Sequence, residues 1–266
     1  MRRPKVCILR TAGTNCDKET AAAFARVGAD AELVHINRLI GKERRLSEFQ
    51  IFALPGGFSY GDDIAAGKIL ANELKNLLAQ DLRGFIDDGK LIIGICNGFQ
   101  ILVKTGLLPG NDSFTQEATL AINDSAKFED RWVYLRAPER QSARAPEKCI
   151  WTKGLPEIIY LPVAHGEGKF IAKDRKVLAR LKKKRQIVFQ YCDAQGELSA
   201  YPANPNGSQE HIAGICDSTG RILGLMPHPE RHMDAMQHPR FRAMQGSKEG
   251  DGLQIFRNGV EYATHL

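Results

Sequence analysis

Residues 91–100 read Leu91-Ile92-Ile93-Gly94-Ile95-Cys96-Asn97-Gly98-Phe99-Gln100. The first five form an uncharged run, the mark of a strand buried on both faces. A G-x-C-x-G turn follows, and then a helix-like run through Leu102 to Gly106. A nucleophile that projects from a sharp strand-to-helix turn crowds the backbone, so its neighbours must be small. Gly94 and Gly98 supply that room. The Cys96 sulfur then lies at a helix N-terminus, where the positive dipole end favours thiolate and free amides can hold an oxyanion.

Working outward, the first 110 residues alternate strand-like and helix-like segments. Val6–Leu9, Glu32–Ile36 and Ile51–Leu54 are short apolar runs. Lys18–Val27 is rich in Ala and stops at Gly28. Residues 67–82 place Ile69, Leu70, Leu74, Leu77, Leu78 and Leu82 at helical spacing. Apolar strands separated by helices predict an α/β fold with a mostly parallel sheet flanked by helices. After residue 110 the segments become short and turn-bounded: Trp132–Leu135, Ile158–Leu161 and Ile187–Tyr191. A hairpin is expected from Ile212–Cys216 and Arg221–Met226 around Asp217–Gly220, and a closing helix over Leu253–Ala263. Arg136 to Lys148 reads as an exposed loop. The expectation is one domain over 1–266 with a β-rich second half and surface insertions near 131–150 and 234–251.

The chain has 266 residues, 43% hydrophobic and 26% charged, with a formal net charge of +6. Such a composition excludes disordered and fibrous classes. The basic run Lys182-Lys183-Lys184-Arg185 reads as a solvated face, and no aromatics interleave with it as a nucleic-acid platform requires. Nothing approaches the ~18 apolar residues of a membrane span, and Val6–Leu9 is too short for a signal sequence. The six cysteines include no CxxC pair and no zinc-type spacing, so no metal is expected. Free thiols suit a reducing, cytoplasmic setting. Cys7, Cys192 and Cys216, inside apolar runs, read as small buried hydrophobes.

A thiol nucleophile needs a base. His228 sits in Leu225-Met226-Pro227-His228-Pro229-Glu230-Arg231, pinned between two prolines after an apolar strand. Glu230, two residues on, is placed to orient the imidazole and stabilise its charged form. His165, in Pro162-Val163-Ala164-His165-Gly166-Glu167-Gly168, is the second candidate, against a plain turn histidine. Pro55-Gly56-Gly57-Phe58-Ser59-Tyr60-Gly61-Asp62-Asp63 follows the third strand, where ligands of parallel sheets bind, and its Gly-Gly suits an oxyanion hole. The chain has no GxxxxGK[ST] and no GxGxxG opening a helix, so no nucleotide loop is indicated.

Taken together, G-I-C-N-G-F-Q, L-P-G-G-F-S-Y-G-D, P-V-A-H-G-E-G and G-L-M-P-H-P-E-R resemble the class I, triad-type glutamine amidotransferases. The resemblance runs from about Lys5 to Arg231. The N-G-F-Q elbow and the G-F-S-Y-G-D loop narrow it to the glutaminase subunits of phosphoribosylformylglycinamidine synthase. It implies a flavodoxin-like fold, with Cys96 as nucleophile, His228 as base and acid, and Glu230 as its orienting partner. It further implies Gly57 and Asn97 amides as oxyanion donors and Gln100 as a glutamine-pocket residue. Glutamine would be hydrolysed through a thioester, and the ammonia passed to a separate synthase subunit, which in many bacteria a small third subunit would join. No cofactor is implied on this chain; ATP and Mg belong to the synthase. The chain also looks longer than typical free-standing subunits of that family. Rival readings are a stand-alone cysteine hydrolase on a similar sheet, a non-catalytic amidotransferase-like subunit, and a nucleic-acid binder.

Overall fold

Fully apolar strands need cover on both faces, and the computed structural model of the protein places them accordingly. It describes residues 3–110, 114–138, 148–243 and 249–266. The strands β1 (Lys5–Arg10), β2 (Asp30–His35), β3 (Ile51–Leu54) and β4 (Leu91–Ile95) are mutually parallel, in the order β2-β1-β3-β4. Every residue of β3 and β4 is buried. The helix α1 (Asp17–Arg26) links β1 to β2, and α2 (Ile36–Ile40) leads back past β1 to β3. Beyond β3, α3 (Lys68–Leu77) and α4 (Ala79–Asp87) lead to β4, and α5 (Asn97–Thr105) follows it. The crossover from β1 to β2 and that from β3 to β4 run in opposite directions along the sheet. With right-handed connections, their helices cover opposite faces and leave a switch point between β1 and β3.

The second half extends the same sheet. It supplies β6 (Glu129–Arg136), β7 (Ile158–His165), β9 (Ile187–Cys192), β10 (Ile212–Cys216) and β11 (Ile222–Leu225). The nine-stranded order is β2-β1-β3-β4-β11-β10-β9-β6-β7. The expected hairpin is β10 and β11, but β11 also pairs in parallel with β4. That pairing carries the chain after Leu225 to the same sheet edge as Cys96. A small antiparallel pair, β5 (Ala118–Ala121) and β8 (Lys169–Ala172), stands apart. The closing helix α7 spans Leu253–Ala263 and packs on α1 through Phe24 and Phe256, whose rings meet edge to face at 5.0 Å.

Two expectations change. The single helix over 67–82 is two, because the chain breaks at Leu78 (φ −125°, ψ 13°). The break buries Leu78, Leu82 and Phe85 while Leu77 points to solvent, so the apolar row of the sequence is split between two axes. The segment near 131–150, expected as an insertion, starts as sheet: Arg131 to Arg136 belong to β6, paired with β7 on one side and β9 on the other. Residues 139–147 of that segment lie outside the described residues, as do 244–248 of the segment near 234–251. The basic run ends the helix α6 (Arg175–Lys183), which Asp174 caps by accepting from the Val177 amide. Lys182, Lys183 and Lys184 are exposed there, where cations complement the carboxyl end of a helix.

Candidate active site

Five carboxyl-end segments of the sheet converge: those following β1, β3, β4 and β11, and the end of β7. Cys96 joins β4 to α5 with φ 52° and ψ −107°, a strained conformation for a residue with a side chain. Surrounding structure must hold it. The Cys96 amide donates to the Leu225 carbonyl at 2.8 Å, and its carbonyl accepts from the Phe99 and Gln100 amides at 3.0 and 3.1 Å. Gly98 makes the turn sterically possible: a Cβ there would lie 1.9 Å from the Leu54 carbonyl oxygen. The glycine bracket therefore seats the elbow against β3.

His228 follows β11 in extended backbone, and its amide donates to the Pro162 carbonyl at 2.8 Å. Its Nδ1 meets Glu230 Oε1 at 2.6 Å, with both side chains buried. Burial works to lower the His228 pKa. The Glu230 carboxylate and then Cys96 outweigh it, and hold the imidazole well above its usual value. A raised pKa makes His228 the stronger base toward the Cys96 thiol. The Cys96 sulfur also lies 3.7 Å from the Ala164 carbonyl oxygen at the end of β7.

The loop after β3 closes over this centre. Gly57 adopts φ +141°, a region open to glycine. The Gly57 and Asn97 amides have no backbone acceptor among the described residues. The Asn97 side chain ties loop to elbow: its Oδ1 accepts from the Ser59 amide at 3.3 Å, and its Nδ2 donates to Asp62 at 3.1 Å and Gln100 at 3.0 Å. Gln100 Nε2 donates to the Glu167 carbonyl at 2.6 Å. With both amide ends engaged, Gln100 shapes the wall of the site. Burial pushes the Asp62 carboxyl up, against the Gly67 amide and Asn97, which pull it down.

The structure therefore brings Cys96, His228, Glu230, Gly57, Asn97 and Gln100 together. His165 has a different place. Its Nδ1 pairs with Asn123 Oδ1 at 3.1 Å, and Asn123 also bonds the His165 carbonyl and the Gly168 amide. Burial, with the nearby His228 charge, lowers His165 to about 4, so it stays neutral and organises the turn. Cys16, given no role from sequence, is the unexpected neighbour: it is buried in the loop after β1 and approaches His228. The available signal was its position, just beyond the carboxyl end of a parallel strand.

A family model for CobB/CobQ-like glutamine amidotransferase domains matches residues 3–263. The chain belongs to the CobB/CobQ-like glutamine amidotransferase family. It is 50% identical over 267 residues to the phosphoribosylformylglycinamidine synthase subunit PurQ of Dehalococcoides mccartyi, over the full length of both. It is 44% identical to the subunit of the same name from Methanococcus maripaludis strain S2, covering 97% of each. Among solved structures, a chain in the structure of PurLQS from Thermotoga maritima superposes with a TM-score of 0.73 at 28% identity, over 98% of this chain and 99% of that one. A glutamine amidotransferase of the same organism, 16% identical with a TM-score of 0.56, shares the fold. The length of this amidotransferase is not peculiar to it, since the Dehalococcoides relative matches from end to end. No helix among the described residues is long and apolar enough to cross a membrane.

Proposed function

We propose that the chain is the glutaminase subunit of phosphoribosylformylglycinamidine synthase, with Cys96, His228 and Glu230 as its catalytic residues. The observation that carries the reading is the strained Cys96 elbow facing an imidazole whose far nitrogen is held by Glu230 at 2.6 Å. The Cys96 sulfur attacks the side-chain carbonyl carbon of glutamine, and His228 takes the thiol proton. Negative charge on the amide oxygen is met by the Gly57 and Asn97 amides, which engage no backbone carbonyl among the described residues. His228 returns the proton to the nitrogen, the C–N bond breaks, and ammonia leaves. A γ-glutamyl thioester remains on Cys96. Water, deprotonated by His228, cleaves it to glutamate and restores the thiol. Glu230 keeps Nδ1–H bonded, so Nε2 is the nitrogen that works.

The ammonia passes to a separate ATP-dependent synthase subunit, which converts formylglycinamide ribonucleotide to its amidine. The full-length PurQ relatives and the PurLQS likeness support this partner. We assign ATP and Mg2+ to that partner and no cofactor to this chain. A small third subunit in the complex and a cytoplasmic setting complete the reading.

Glutamine labelled at its amide nitrogen tests it. With the chain and its synthase subunit together, the label is expected in the amidine product even when unlabelled ammonium is present. An amidine nitrogen drawn wholly from solution would contradict the assignment.

A further inference from the structure

The two amides assigned to the oxyanion come from different segments: Gly57 from the loop after β3, Asn97 from the head of α5. The side chain of Asn97 links those segments, and the bonds continue in both directions. Asp62 Oδ1 accepts from the Gly67 amide at 3.1 Å and from Asn97 Nδ2 at 3.1 Å. Asn97 Nδ2 also reaches Gln100 Oε1 at 3.0 Å, and Gln100 Nε2 ends on the Glu167 carbonyl at 2.6 Å. Asn97 and Gln100 are buried, and Asp62 is half-buried. Glu167 lies in the turn after β7, just beyond Ala164, whose carbonyl faces the Cys96 sulfur at 3.7 Å.

An amide side chain fits its site either way round unless a neighbour of fixed polarity decides. Here backbone groups fix both ends. The Gly67 N–H only donates, so the Asp62 oxygen that takes it is an acceptor and requires the Nδ2 end of Asn97. The Ser59 N–H, 3.3 Å from Asn97 Oδ1, agrees. The Glu167 carbonyl only accepts, so Gln100 turns Nε2 to it and Oε1 to Asn97. Asp62 itself stands at φ 55°, a left-handed conformation that Asp and Asn tolerate better than most side chains. We propose that Asp62 is a positioning residue for the glutaminase. Its carboxyl oxygen sets the amide orientation of Asn97 and, through it, of Gln100, and so holds the oxyanion loop, the elbow and the turn after β7 in one register. The effect on turnover rests on Gly57 and Asn97 being the oxyanion donors; the orientation of the two side chains does not.

Asp62→Gly tests this, because glycine accepts the left-handed backbone without strain and removes only the carboxyl. In the isotope-labelled full chain, the Gln100 side-chain amide signals, assigned by their loss in Gln100→Leu, are followed by NMR. They should move in Asp62→Gly, although Gln100 has no bond to Asp62, and return in Asp62→Asn, whose Oδ1 still accepts. In complex with the synthase subunit, Asp62→Gly should lower kcat with glutamine by about 10²-fold, the scale of a ~1 Å misplacement, with a smaller change in KM. Asp62→Asn should restore kcat to within a few-fold, and synthesis from ammonium should be unchanged in both. Unmoved Gln100 signals in Asp62→Gly overturn the relay. Moved signals with wild-type kcat, or an equal loss of kcat in Asp62→Asn, overturn the positioning role. An equal loss with ammonium overturns it as well, since Asp62 would then serve the assembly. A wild-type complex without glutamine-dependent turnover would instead contradict the glutaminase reading, with the NMR result still deciding the relay.

Discussion

Cys96→Ala is expected to lower glutamine-dependent amidine synthesis by about 10⁴-fold or more, the scale on which removal of a triad nucleophile acts. Activity with added ammonium should be unchanged, because the ATP-using chemistry belongs to the partner subunit. The split follows from the geometry. Alanine retains the Cys96 backbone bonds to Leu225, Phe99 and Gln100, so the elbow and the face around it persist while the sulfur is gone. The measurement is the reconstituted rate with each nitrogen source in turn. Equal loss with both would mean that Cys96 serves the assembly instead of the reaction.

A large stability effect is expected at Gly98. A methyl group there would meet the Leu54 carbonyl oxygen at 1.9 Å, and neither β3 nor α5 has slack, since both are fully buried. Overpacking against backbone costs at the upper end of the ~1–3 kcal/mol range or beyond it. For a chain of this size ~3 kcal/mol corresponds to a fall in melting temperature of roughly 6–12 °C. Because the same turn carries Cys96, glutaminase activity should fall with it. Gly84→Ala in α4 is the contrast: a Cβ there meets nothing within 4 Å, and alanine favours the helix by up to ~1 kcal/mol. Calorimetric melting of the two variants checks both signs. An unchanged melting temperature for Gly98→Ala would show that the elbow is not seated as described.

Much of this was legible in the sequence because local signals and tertiary environment agree. The apolar runs of β1, β3 and β4 are buried on both faces, as parallel strands between helices must be. The closing helix over Leu253–Ala263 was readable to its ends. At the site, Cys96 and the His228–Glu230 pair each carry their constraint within a few residues: glycines beside the thiol, prolines beside the imidazole. What was hidden depends on long-range placement. Leu77 and Leu78 look equivalent in an apolar row, and only packing decides that the helix breaks between them and their successors. The strand β11 reads as half of a hairpin, and nothing local says that its other edge joins β4. Gln100 reads as a glutamine-pocket residue, and nothing local says that its amide bonds Asn97 and the Glu167 carbonyl. Cys16 carries no motif of its own; the sheet brings it to Arg231 and His228 from the other end of the chain.

The central claim is that Cys96 is the thiol that forms a covalent bond with glutamine. The most direct test is to incubate the chain, in complex with its synthase subunit, with a diazo-ketone analogue of glutamine, then to measure intact mass and map the modified peptide. One adduct on Cys96, prevented by excess glutamine, is the predicted result. An adduct on another cysteine, or none at all, would contradict it.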